Sequence, residues 1–229
     1  MSLQVAFTSR AALKARTQVS GVRTVQDDNR FEDGAVVPDG LWSPLDDDLV
    51  DRIRADQSTA DDVLVEVVGL ESIDPDHLAS PGVHELGRTF SIAQSATTTP
   101  NHQDGRLIGL HLNNWDELSY TSKHTGRRRL CVNLGPGTRY ILLGDTDIQT
   151  ICQAVREDHT TCNPHTDDLR CYVARGLPLQ CLRIRLDPGE GYIAPTEFLP
   201  HDGSTEGQDE SAAAFWLGRW AHGAMGSLL

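Results

Sequence analysis

Valine, leucine and isoleucine recur along this chain with two different periods, broken by clusters of turn-forming residues. Alternation by two marks a strand with one buried face, and recurrence at three and four marks a helix. Residues 62–70 (DVLVEVVGL), 88–96, 106–113 (RLIGLHLN), 129–134, 139–143, 179–186 (LQCLRIRL), 191–194 and 212–220 read as strands. Gly135-Pro136-Gly137 is a strong turn signal between two of them. In 106–113 the alternation places Leu107, Gly109, His111 and Asn113 on one side. Helical spacing appears in 44–55 (Leu45, Leu49, Ile53) and in 145–157 (Ile148, Ile151, Cys152, Val155). A third helix, 166–175, starts at a Thr cap with acidic residues in its first turn and stops before Gly176. Residues 1–45 are polar, carry Gly and Pro, and hold an acidic stretch at Asp27, Asp28, Glu32 and Asp33. They read as a loosely ordered arm with a short strand at most, ahead of one domain over 46–229. Many short alternating strands with a helical insert indicate a mostly β antiparallel sandwich or barrel rather than a parallel α/β sheet.

The chain has 229 residues, 38% of them hydrophobic and 23% charged, which suits one domain with a sizeable core. A formal net charge of -13 argues against nucleic acid and against anionic membrane surfaces. No apolar run approaches the roughly 20 residues of a membrane span, and the N-terminal stretch lacks the apolar core of a secretory signal. A cytoplasmic location is the expectation. Five cysteines (Cys131, Cys152, Cys162, Cys171, Cys181), without a CxxC pair, read as reduced, partly buried thiols rather than a disulfide framework or a zinc site.

Two segments carry candidate chemistry. In Asn101-His102-Gln103-Asp104-Gly105, His102 and Asp104 stand two apart, so an extended chain aims an imidazole and a carboxylate the same way. Those are two corners of a 2-His-1-carboxylate triad for Fe(II). A turn in which Asp104 caps a backbone N–H is the other reading. The second segment runs from Pro188-Gly189-Glu190 through a strand to His201-Asp202-Gly203, placing His201 at a strand end beside an Asp-Gly turn.

Taken together, these segments resemble the Fe(II)/2-oxoglutarate-dependent oxygenases of the double-stranded β-helix (jelly-roll) fold, over roughly residues 87–221. His102-Gln103-Asp104 matches the family's HxD element. Pro188-Gly189-Glu190 with His201-Asp202-Gly203 matches its distal histidine, 201 − 102 = 99 residues later. The resemblance implies flanking and inserted helices around the jelly roll, Fe(II) on His102, Asp104 and His201, and 2-oxoglutarate and O₂ as co-substrates. It also implies a small-molecule substrate, an amino acid or natural-product intermediate, that is hydroxylated. Arg219 is the match for the residue that binds the far carboxylate of 2-oxoglutarate, since a guanidinium fork meets a carboxylate with two parallel hydrogen bonds. Its interval from His201, 219 − 201 = 18 residues, is longer than the family pattern, and Arg139, Arg183 and Arg185 are competing candidates. Thr196, Tyr192 and Tyr140 are hydroxyls placed to bond 2-oxoglutarate or substrate. His111, Asn113 and Trp115 would line the substrate pocket.

Several alternatives stay open. A second register makes His111-Leu112-Asn113 the metal element, although Asn is a poor anionic ligand. The run Arg127-Arg128-Arg129 is either a solvated strand start or a clamp for an anionic substrate. The whole pattern also suits a cupin-like metal enzyme that does not use 2-oxoglutarate, or a non-enzymatic jelly-roll binding module.

Overall fold

A computed structural model describes residues 3–55 and 64–225. The N-terminal part holds β1 (Gln4–Ala6), α1 (Arg10–Arg16), β2 (Thr17–Thr24), β3 (Phe31–Pro38), β4 (Ser43–Pro44), α2 (Asp47–Ile53) and β5 (Arg54–Ala55). The middle holds β6 (Leu64–Gly69), α3 (Pro75–Leu78), β7 (His84–Ser91), β8 (Leu107–Gly109), β9 (Arg128–Pro136) and β10 (Arg139–Gly144). Then come α4 (Ile148–Val155), α5 (Thr166–Ala174), β11 (Gln180–Leu186), β12 (Glu190–Ala194), β13 (His201–Ser204) and β14 (Ser211–Gly218). The protein is mostly β, as the alternation predicts, and the expected helices are present at slightly shorter lengths. Residues 62 and 63 of the expected 62–70 strand lie outside the described residues.

The strands form two sheets. One has the order β5-β1-β6-β12-β9-β14-β7, the other β13-β10-β11-β2-β3-β8 with β4 paired to β2. The pairings along the centre of both sheets are antiparallel. A single apolar core joins them, with Val65, Val67, Cys131, Tyr192 and Ala213 of the first sheet and Ile141, Leu143, Leu182 and Ile184 of the second. Helices α4 and α5 add Ile148, Ile151, Leu169 and Tyr172 to that core. The outer face of the first sheet has its own cluster, where Val68, Leu130, Val132 and Ile193 lie under Trp220 and Met225. Among the described residues no helix is long and apolar enough to cross a membrane. All five cysteines are free, and Cys131, Cys152 and Cys181 are buried, as their strand and helix settings suggest.

Three expectations are corrected. The 1–45 segment is not a loose arm. From residue 3 onward it supplies β1 to the first sheet and β2, β3 and β4 to the second, and it buries Leu3, Val5, Leu13, Val36 and Leu45. Its polar residues sit on the outer positions of strands whose inner positions are few, which hides the period at the level of composition. The expected 106–113 strand stops at Gly109, whose φ of +71° turns the chain out of the ladder. Finally, His201-Asp202-Gly203 is not a turn but most of β13, paired with β10.

Candidate functional site

A cavity of about 750 Å³ lies between the two sheets, on the side where β7 and β13 form their edges. That volume suits a small molecule. The first sheet contributes Arg129, Tyr192 and Phe215 to its wall, and the second contributes Arg139, His201 and Asp202. His111 and Asn113 come from the segment that follows β8.

Strand alternation explains how the arginines divide. On β9, Cys131 belongs to the inter-sheet core while Leu130 and Val132 belong to the outer cluster. Arg129 therefore shares the inner side with Cys131, and Arg128 faces outward, where it pairs with Glu66 at 2.7 Å. Arg127 is taken by Asp116 at 2.6 Å. The Arg127-Arg128-Arg129 run is thus neither a solvated strand start nor a three-fold clamp, and only Arg129 enters the cavity.

The two cavity histidines are held side by side. His111 and His201 exchange both backbone hydrogen bonds, N–H to O distances being 3.0 and 2.9 Å. Their rings lie 4.5 Å apart, centroid to centroid. Each Nδ1–H donates to the carbonyl two residues earlier, His111 to Gly109 at 3.0 Å and His201 to Leu199 at 3.2 Å. A carbonyl can only accept, so each neutral ring carries its proton on Nδ1 and leaves a bare lone pair on Nε2. Burial lowers the pKa of His111 to about 4. Burial, then the neighbouring His111, hold His201 well below its ordinary range. Both rings are neutral near pH 7. The Nε2 of His201 is buried without a hydrogen-bond partner. A neutral imidazole with its tautomer fixed by a backbone carbonyl is the form that binds a metal.

Arg139 lies 3% exposed at the start of β10, and its Nη1 is buried without a partner. Its guanidinium fills the space that the missing side chain of Gly203 leaves, since a Cβ there would stand 2.5 Å from Nη2. A buried cation without hydrogen bonds is costly, so such a group calls for an anionic ligand. Asp202 does not take that role with a close contact. Its Oδ1 accepts from the Thr99 hydroxyl at 2.7 Å and from the Gly203 N–H at 2.6 Å. Its Oδ2 is buried, unpartnered, and 3.9 Å from His111 Nδ1. Burial pushes its pKa up to about 7.

The remaining expected residues fall in different places. His102 sits exposed at the cavity rim, in a turn where Asn101 Oδ1 accepts the N–H groups of Gln103, Asp104 and Gly105. Asp104 accepts the Arg106 N–H at 3.0 Å and its Nε at 2.7 Å. The first of these does most to hold its pKa down to about 2. His102 and Asp104 therefore do not assemble with His201. The turn reading describes Asp104, because the chain before Arg106 curls around Asn101 instead of running extended. Among the described residues no group of three or more His, Cys, Asp or Glu side chains is placed to hold a metal ion.

Arg219 is also displaced. It is exposed, donates to the Thr125 carbonyl at 2.8 Å, and does not line the cavity. Arg183 is bound by Gln18 and Glu206, and Arg185 by Asp187, so of the three competing candidates for Arg219's role only Arg139 lines the cavity. Thr196 is buried behind the cavity wall, where its hydroxyl accepts from Asn113 Nδ2 at 2.8 Å. Tyr192 lines the cavity, Asn113 lines it as expected, and Trp115 is half exposed at its edge. Tyr140 points away, bonded to Gln208 and stacked on Arg183. The second register, at His111, is the one that meets His201. Asp202 was masked in the sequence by its Asp-Gly turn signature.

Gly109 fixes this geometry, because its carbonyl holds His111 and its backbone is left-handed. A Cβ there would lie 2.4 Å from the Val36 carbonyl oxygen. Gly109→Ala is expected to cost about 3 kcal/mol from the φ penalty and the clash together. At about 2–4 °C per kcal/mol for a chain of this size, differential scanning calorimetry should show a clearly lowered midpoint. An unchanged midpoint would mean that the loop before His111 can be rebuilt freely.

Compared with protein-family models and with curated proteins, the chain matches none.

Proposed function

We propose that this chain is a double-stranded β-helix oxygenase that uses Fe(II), 2-oxoglutarate and O₂ to oxidise a small molecule, with the metal held by His111 and His201. One observation carries the reading: two neutral imidazoles, each locked by an Nδ1 hydrogen bond, leave their Nε2 atoms bare in a cavity that also holds the unpartnered guanidinium of Arg139. Two largely antiparallel sheets facing each other across one core support the jelly-roll form.

The two imidazoles would supply two ligands to Fe(II), and among the described residues no third His, Cys, Asp or Glu side chain is grouped with them. Bound there, Fe(II) would couple O₂ reduction to the decarboxylation of 2-oxoglutarate. The residues of the chain do the positioning. Gly109 and Leu199 orient the two rings. Arg139 offers its fork to the distal carboxylate of 2-oxoglutarate at the buried end of the cavity, the role first expected of Arg219. The apolar wall restricts water around these groups.

The test is spectroscopic. The purified protein, made anaerobic with Fe(II), should develop a weak visible charge-transfer band when 2-oxoglutarate is added. In Arg139→Gln the band should require a far higher 2-oxoglutarate concentration. Metal binding at the histidines with no response to 2-oxoglutarate would favour the cupin-like alternative. Absence of both would overturn the proposal.

A further inference from the structure

We propose that the cavity contains a second anion subsite, built on Arg129, and that the substrate is therefore a small carboxylic acid with an apolar body. This rests on the oxygenase reading for the word substrate, but the subsite itself stands on separate observations.

Three arginines line this cavity in a chain of net charge -13: Arg88, which is exposed on the edge strand β7, Arg139 and Arg129. Its neighbours Arg127 and Arg128 are each matched by an acid, Asp116 and Glu66. No acidic partner within ion-pair distance is found for Arg129 among the described residues, and its Nε is buried without a hydrogen bond. One face of its guanidinium lies over the Phe215 ring, 4.4 Å from the centroid. Such stacking leaves the N–H edge of the fork free, the edge that meets a carboxylate with two parallel bonds.

Arg139 and Arg129 are placed differently. Arg139 is 3% exposed and lies beside Asp202 and Gly203, at the closed end. Arg129 is partly exposed, and its charge acts on both His111 and His201. Arg129 can thus be reached by a molecule entering after the inner position is filled. Beside it, Leu86, Ile108, Leu112 and Phe215 offer apolar surface for the rest of that molecule. A neutral substrate would leave a half-desolvated cation unmatched, whereas a carboxylate would satisfy it.

The test uses benzoate and its neutral counterpart benzamide as probes, titrated by calorimetry into the metal-free protein with and without saturating 2-oxoglutarate. Benzoate should bind at least about tenfold more tightly than benzamide, since charge-assisted bonds are roughly twice as strong as neutral ones. Arg129→Gln should erase that difference, Arg129→Lys should retain part of it, and Arg139→Gln should leave it in place. Far-ultraviolet circular dichroism and the thermal midpoint check that the variants fold, and the comparison of the two probes on the wild type needs no variant.

Equal binding of the two probes, no millimolar binding of benzoate, or indifference to Arg129→Gln would each overturn the proposal. Displacement of benzoate by 2-oxoglutarate would overturn it too, because Arg129 would then belong to the co-substrate. Failure of 2-oxoglutarate to bind once Fe(II) is supplied anaerobically, with the Arg129-dependent preference for benzoate intact, would count against the oxygenase reading and leave the subsite standing.

Discussion

Glu197→Ala is expected to lower the stability of this protein by about 3–5 kcal/mol, the cost of leaving a buried charge without its partner. Lys123 is fully buried, and its Nζ donates to Asn114 Oδ1 at 2.8 Å and faces Glu197 Oε2 at 3.5 Å. Glu197 is 1% exposed, and its other oxygen accepts the Asp116 N–H at 2.6 Å. Asp116 in turn binds Arg127. This network ties the 113–127 segment, which carries Asn113 and Trp115 past the cavity, to the connection between β12 and β13. Urea denaturation of the single variant measures the loss. The paired variant Lys123→Met with Glu197→Leu should recover most of it, because two apolar groups need no counter-charge. If Glu197→Ala were as stable as wild type, the ammonium group would have to reach water, contrary to its burial here.

The second large effect concerns the histidines. His111→Ala and His201→Ala should each weaken Fe(II) or Co(II) binding by at least about a hundredfold, beyond the usual consequence of losing only an outer hydrogen-bond partner. His102→Ala and Asp104→Ala should leave it unchanged. Anaerobic metal titration followed by absorbance separates the two sets. His201→Asn, closer in size, guards against a loss caused by a collapsed core. Loss of binding in His102→Ala would restore the first register and dismiss the pair at His111 and His201.

The difference between the two registers shows where sequence reading succeeds. His102 and His111 both stand two residues before a polar side chain, the first just ahead of the apolar stretch 107–112 and the second within it. Spacing treats them alike. What separates them is Asn101, whose side chain gathers three N–H groups into a turn, and Gly109, whose left-handed backbone redirects the next residues to β13. Neither effect has a period. The same holds for the arginines. Arg219 lies on an apolar-rich stretch at the expected side of the distal histidine, yet it follows the end of β14 and turns to Thr125. Arg139 follows a Gly-Pro-Gly turn, where a solvated residue is the ordinary expectation, and only the packing of Gly203 against it makes it a buried cation.

Local chemistry along the chain was enough to determine the β-rich class, the two inserted helices and the free thiols, because alternation, capping and turn residues act over a few neighbours. Tertiary structure decided the order of strands in the two sheets, the folding of residues 3–45 into both of them, and the company His201 keeps. Those outcomes depend on pairings between residues far apart in the chain. His111 and His201 become neighbours through two backbone hydrogen bonds across 201 − 111 = 90 residues, and no repeat in the sequence records such a pairing.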